Sequence, residues 1–443
     1  MKQYPAVVDL RMVGDSQSDG ATARKRGVKA DIHSLLLYYA FLILSLIHIP
    51  LIPVVRGDFI GVFDFASVFL FALLILSRKR RLLNLKRNTP IMKLLFAYLL
   101  YTAFAIIKEL LLSISGDGFK GIYYVALVLK QVQFMIFYVI SFYFLVNYKF
   151  IIKYFHYILI LFIAIIYING MYQLFVLQNW YRLGIPFKHG VSSNLAGLIL
   201  SQCILILVYK ALKGEKRNIY SQLIYLTAII FGAIALSYAK SRTNGIILYL
   251  FIAILVYIIK GEKKEFLVFS LACLSVSLFF LWGMVNEDRQ PDGRSTMFLR
   301  RNFVASYSNY IANPSAAIED GSFQGRLRAW KEALSDFEVN FVEIFSGQGL
   351  SKVTSIDNMF LRTFINHGLI GLAFFVSIYL VLFRSARGLL SRMSVLFVIL
   401  NGIFMDTMVV SFRAVQVIIP VLCYAIMHDR DIKDSEKSLT VSR

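Results

Sequence analysis

The stretch Asp357-Asn358-Met359-Phe360-Leu361-Arg362-Thr363-Phe364-Ile365-Asn366-His367-Gly368-Leu369-Ile370-Gly371 opens a hydrophobic helix directly after a long polar loop. An acid and an amide stand at its mouth, and a Gly-x-x-Gly follows nine residues later. Asp357 is placed to cap the helix through backbone N–H groups or to present a carboxylate to a substrate hydroxyl as a general base. His367 lies eight residues beyond Met359, roughly 12 Å along a helix. There it is either a buried imidazole satisfied by a neighbouring group or an acid–base group.

Outward from this stretch the chain is apolar. Of its 443 residues 58% are hydrophobic, and the mean hydropathy is +0.67, which excludes an ordinary soluble enzyme. About twelve segments are long enough to cross a hydrocarbon core. They start near residues 33, 59, 90, 122, 155, 195, 220, 245, 266, 358, 394 and 415. The expected fold is an all-α polytopic membrane protein, with a tail at 1–32, a membrane domain at 33–427 and a second tail at 428–443. Residues 1–32 are polar and lack the apolar core of a secretory leader, so the first span is expected to be retained.

Orientation follows from the basic hairpins. With the N-terminus inside, Arg78-Lys79-Arg80-Arg81, Lys213/Lys216/Arg217, Lys260/Lys263/Lys264 and Arg384/Arg387/Arg392 all fall on the inner side. Both termini are then cytoplasmic. The net charge of +21 is largely this topology signal, and it suits an anionic leaflet. Nucleic-acid binding is a poor reading, since no soluble basic domain exists to carry it. Cys203, Cys273 and Cys423 fall in expected spans and read as small core residues.

The longest loop, 286–356, should face outward. Its first half, with Pro291, Gly293, Pro314 and Gly321, reads as irregular. Its second half predicts one amphipathic helix over 323–346, capped by Ser322. Leu327, Trp330, Leu334, Phe337, Phe341 and Ile344 repeat at threes and fours, and Gly347-Gln348-Gly349 ends it. Such a helix would lie on the membrane face or over the bundle mouth.

Topology does not account for the basic residues on the outer side, Arg362 among them. Arg242, in Lys240-Ser241-Arg242-Thr243-Asn244, sits in a hairpin too short to leave the membrane surface. It is either a phosphate grip or a snorkelling anchor. Arg326 and Arg328 fall in the first turn of the expected loop helix, where positive charge opposes the helix dipole unless an anion is bound. Arg182 precedes Asn194-Leu195-Ala196-Gly197 at a helix start, either an anion-friendly rim or a plain surface loop. Lys108, Glu109 and Lys130 are placed for an intramembrane ion pair. Asp64 and Asp406 are acids inside spans. Asp429-Arg430-Asp431 spells Asp-x-Asp, but without a nucleotide-binding fold it carries no metal-dependent sugar chemistry.

Taken in order, these segments resemble one superfamily, the O-antigen ligases and Wzy-type O-antigen or exopolysaccharide polymerases. Asp357-Asn358, nine residues and Gly368-x-x-Gly371 is similar to a signature whose first residue is His in the ligases. Ser237 to Arg242 resembles the family's Ser-Arg segment, and Arg182…Phe187…Asn194-Leu195-Ala196 its Arg-x-x-Gly-x-Phe…Pro-Asn-x-x-Ala stretch without the Pro. Gly325-Arg326…Trp330 and Gly347-Gln348-Gly349 complete the set. The resemblance implies a GT-C-type, inverting, metal-independent glycosyltransferase without a cofactor, in a bacterial inner membrane with its active site facing the periplasm. It implies undecaprenyl-pyrophosphate-linked oligosaccharide as donor and acceptor. Arg242, Arg326 and Arg182 would hold the pyrophosphate, while Asp357 and His367 are the acid–base candidates. A chain-length regulator is a usual partner of such polymerases. Asp at the position of the ligase His points to polymerase over ligase. A transporter or glycan-lipid flippase remains the reading from another class, to be marked by paired halves and broken helices at the midplane.

Overall fold

The computed structural model describes residues 35–46, 50–53, 59–88, helical residues between 93 and 111, and then 136–176, 193–213, 219–239 and 242–260. It further describes 321–335, 337, 341–348, 358–404 and 417–429. In chain order the helices are α1 (Leu35–Leu46), α2 (Val62–Asn88), α3 (Ile136–Asn147), α4 (Lys149–Phe175) and α5 (Ser193–Leu212). They continue with α6 (Ile219–Ala239), α7 (Arg242–Lys260), α8 (Gly321–Ser335), α9 (Phe341–Ser346), α10 (Met359–Ser385), α11 (Leu389–Phe404) and α12 (Val417–Asp429). A short antiparallel ladder, β1 (Pro50–Pro53) with β2 (Phe59–Gly61), joins α1 to α2 and is an addition to the all-helical expectation.

Among the described residues, four helices are long and apolar enough to cross a bilayer: Lys149–Gln173, Leu195–Leu212, Tyr220–Ala239 and Met359–Ser385. The architecture is that of a helical membrane protein. Its outside is oily, with Phe65, Phe69 and Leu76 on α2 and Tyr220, Leu223 and Phe231 on α6 exposed. In water that surface would carry a large hydration cost; against lipid tails it carries none. The expected ninth span, near 266, lies outside the described residues.

α5 is the central helix, with 89% of its apolar window buried against 33% for α6. It packs on α4, α6, α7 and α11. Two buried amides of this interior donate to backbone carbonyls: Gln202 to that of Ser394 (3.2 Å), and Asn401 to that of Phe397 one turn back (2.8 Å). Cys203 and Cys423 are buried free thiols, as core residues should be.

Side-chain contacts show how several of these helices run. Phe155 of α4 stacks on Tyr424 of α12 at 4.2 Å, and His156 meets Tyr225 near the start of α6. Tyr209 of α5 meets His428, and Phe251 of α7 meets Phe397 of α11 at 5.5 Å. Met359 of α10 packs on Gly402 of α11. Together these contacts gather the first residues of α5, α7 and α10 at one end, with the last turn of α11. The last turns of α5 and α12 and the start of α11 lie at the other. At that far end Ser391 donates its amide (2.9 Å) and hydroxyl (2.5 Å) to Asp429, which thereby caps α11. Asp429 of the Asp-x-Asp sequence is therefore a structural cap.

The long loop departs from expectation. In place of one helix over 323–346 there are two, α8 and α9, and the apolar stripe divides between them. Trp330, Ala333, Phe337 and Ile344 pack with Leu361, Phe364 and Ile365 of α10, while Leu327, Leu334 and Phe341 are exposed. Two short helices can each turn a contact face to α10; one straight rod could not follow the bend described below. Because α8 starts at Gly321, Ser322 is its second residue rather than its cap. Arg326 and Arg328 are its sixth and eighth residues, beyond the first turn where the dipole penalty acts. Arg328 is exposed and reads as a solvated charge. Asp64 lies in the first turn of α2, where an acid suits the helix dipole, rather than deep within a span.

Candidate functional site

α10 is not one straight helix. Gly368 (φ 64°, ψ −167°) is non-helical, dividing the element into an outer portion, 359–367, and an inner portion, 369–385. Such a break removes the bond that the Leu369 N–H would make to the Ile365 carbonyl. Inside a membrane protein a bare carbonyl is costly, so a replacement donor is needed. The backbone N–H of Gln348 supplies it, bonding the Ile365 carbonyl at 2.8 Å. The Tyr101 hydroxyl donates to the carbonyl of His367.

The donor at 348 is delivered by the end of α9. Gly347 takes a left-handed conformation (φ 74°), and its N–H bonds the Glu343 carbonyl at 2.7 Å, closing α9 as the Gly-x-Gly reading expects. The two turns are so close that neither tolerates a side chain. A methyl group at 347 would overlap the backbone of Asn366 and His367, and one at 368 would overlap the Phe345 carbonyl. One at 371 would overlap the side chain of His367. Two separate glycine motifs of the sequence are thus one tertiary contact.

Asn358 caps α10. Its side-chain oxygen accepts from Phe360 and Leu361 N–H groups, both at 3.0 Å. The capping role open to Asp357 therefore belongs to its neighbour; Asp357 itself lies outside the described residues. Substituting Asn358 by Ala is expected to cost about 1 kcal/mol, as a lower melting temperature in detergent. Asp357→Ala should leave melting unchanged, and an equal loss there would restore its capping role.

The outer portion of α10 buries an unusual number of polar groups: Arg362, Thr363, Asn366 and His367. His367 is fully enclosed, edge-on to Tyr98 and Tyr101 with ring centroids 6.4 and 6.3 Å away. Thr363 bonds back to the Met359 carbonyl at 2.8 Å. Sequence reasoning named Arg362 only as one outer basic residue and passed over Asn366. Their one-turn spacing on a helix is the signal that would have found the pair.

Arg242 is the first residue of α7, at the same end of the bundle as the α10 mouth, and α6 ends at Ala239, so the hairpin is as short as expected. Asn244 beside it is fully buried, whereas the Ser237 hydroxyl is spent on the Ala233 carbonyl (3.0 Å). Arg326 lies in α8 one turn before Trp330, the residue that helps fasten α8 to α10. Arg182 lies outside the described residues, as do Lys108, Glu109, Lys130, Cys273 and Asp406. The site residues that are described thus gather around one bundle end, where three helix N-termini also favour negative charge. No family model matches this chain, and no curated protein matches its sequence.

Proposed function

We propose that the chain is a polysaccharide polymerase of about twelve spans and GT-C type. It transfers a growing glycan from undecaprenyl pyrophosphate onto a new lipid-linked repeat unit at the periplasmic face of the bacterial inner membrane. The observation that carries this reading is the contact between the Gly347 turn and Gly368. The two glycine elements of the resemblance, separate in sequence, form one joint at the mouth where Arg242 also lies.

In this reading an acceptor hydroxyl attacks the anomeric carbon of the donor, and its proton passes to the Asp357 carboxylate. The bond from that carbon to the pyrophosphate oxygen breaks with inversion, and the electron pair leaves with undecaprenyl pyrophosphate. Arg242, Arg326 and Arg182 neutralise the growing charge, the task a divalent cation performs in other transferases. His367, sealed under the break, acts by holding the outer portion of α10 in place.

Deletion of the gene and electrophoresis of carrier-linked and finished glycans tests the proposal. A product capped at one repeat unit is expected. Long chains stranded on the carrier would mean a ligase acting on lipid A core. A transporter is the second reading, favoured by one observation, the broken helix. The break sits at the tenth residue of a 27-residue helix, off the middle and joined to an outer loop. Lipid-linked units trapped on the cytoplasmic side would establish transport and overturn the enzyme.

A further inference from the structure

The short helix α9 divides its apolar residues between two directions. Ile344 joins the cluster that fastens the long loop to α10. Phe341, Val342 and Phe345 are instead 76%, 62% and 39% exposed, and the two phenyl rings meet at 4.8 Å. In water that face would carry a hydration cost. The two polar side chains of α9 are satisfied inside the protein. The Ser346 hydroxyl donates to the Val342 carbonyl at 2.8 Å, and Glu343 accepts from the Gln348 side chain at 3.0 Å. This is how a segment is built when its surroundings offer no hydrogen bonds. α8 is built differently, with Arg328, Lys331 and Glu332 exposed as on a wet surface.

The joint with α10 sets the depth of α9. Arg384, in the last turn of α10, marks one membrane surface. Gly368 precedes it by sixteen residues, roughly 24 Å along the helix. A hydrocarbon core is about 30 Å thick, which leaves Gly368 about 6 Å inside the opposite edge. The Phe345 carbonyl stands directly against Gly368, and the Gln348 N–H bonds the Ile365 carbonyl. α9 therefore cannot rise out of the core edge without breaking the joint. Beyond the break α10 bares Leu369, Ala373 and Leu380, while no residue of its outer portion is exposed. Where α10 is covered, α9 offers the apolar face instead.

We propose that α9 dips into the hydrocarbon edge of the bilayer, with Phe341, Val342 and Phe345 against phospholipid acyl chains. The depth is that of helices held in a membrane by an apolar face. The long loop is then fixed twice, to α10 by the glycine joint and to the lipid by this wedge, which sets the height of α8 over the membrane. The assignment is independent of the polymerase reading.

The test uses the full-length protein in phosphatidylcholine nanodiscs, with a nitroxide spin label attached to Val342→Cys. Phe341→Cys is the second variant should the first prevent folding. Wild type taken through the same labelling gives the signal of the native thiols, which is subtracted. Collisions of the label with oxygen, which concentrates in lipid, are compared with those of a water-soluble nickel chelate. Lys331→Cys on α8 is the wet reference and Leu380→Cys on α10 the lipid reference. The oxygen-to-nickel ratio at 342 and 341 is expected to be several-fold above that at 331 and close to that at 380. A ratio equal to that at 331 would place the face in water and overturn the wedge. Few collisions with either reagent would mean that another segment or a second copy covers the face, and would overturn it as well.

Discussion

Replacing Gly368 by alanine is expected to destabilise the protein by about 2–5 kcal/mol and to release α8 and α9 from α10. Two effects add. An L side chain at a positive φ of 64° loses about 1–2 kcal/mol relative to glycine. Its methyl group also overlaps the Phe345 carbonyl, so that the α9 turn must move. Once the turn moves, Gln348 no longer reaches Ile365, and the broken helix loses the donor that replaced its own. Gly347→Ala should do the same from the opposite side, because its methyl group would overlap the Asn366 carbonyl. The double variant should therefore cost less than the sum of the two. Melting in detergent measures the loss, and limited proteolysis between α8 and α9 measures release. Gly245→Ala is the control: a methyl group there meets nothing within 4 Å, and helix propensity should make the change neutral or slightly stabilising. Equal melting for Gly368→Ala and Gly245→Ala would show that the joint relaxes without cost.

Arg242→Ala is expected to reduce polymerisation about 10²–10³-fold, the scale for losing one preorganised group opposite a developing negative charge. The helix assignment sharpens this expectation. The dipole penalty first argued for Arg326 and Arg328 falls instead on Arg242, which opens α7 with no acid in the first turn. A cation at that position lowers helix stability by a few tenths of a kcal/mol unless an anion sits beside it. Stability and activity should then move apart, with melting unchanged or slightly higher while the glycan ladder collapses to single units. Arg242→Lys keeps the charge but loses the bidentate fork, and should recover only part of the rate. Full-length polymer from Arg242→Ala would mean that the residue is a membrane anchor.

Local chemistry was legible where the signal was local. The apolar lengths announced α4, α5, α6 and α10; Arg242 marked the hairpin between α6 and α7; Gly347 marked the end of α9. These follow from backbone hydrogen bonding in an apolar solvent and from the steric freedom of single residues, which act within a few positions along the chain. The loop helix was misjudged because a three-and-four stripe gives the face but not the rod: Leu327, Leu334 and Phe341 share the pattern with Trp330 and Ile344 yet are exposed.

By itself the sequence determined that this is a helical membrane protein and where several of its helices begin. Tertiary structure alone decided that α10 breaks at Gly368, that Asn358 takes the cap, and that Arg362 and Asn366 share one buried side. The break needs a donor from a turn twenty residues away, at Gln348, and a hydroxyl from a helix far earlier, at Tyr101. Whether a glycine bends or continues a helix depends on whether the carbonyls it releases find new partners, and those partners are brought by the fold.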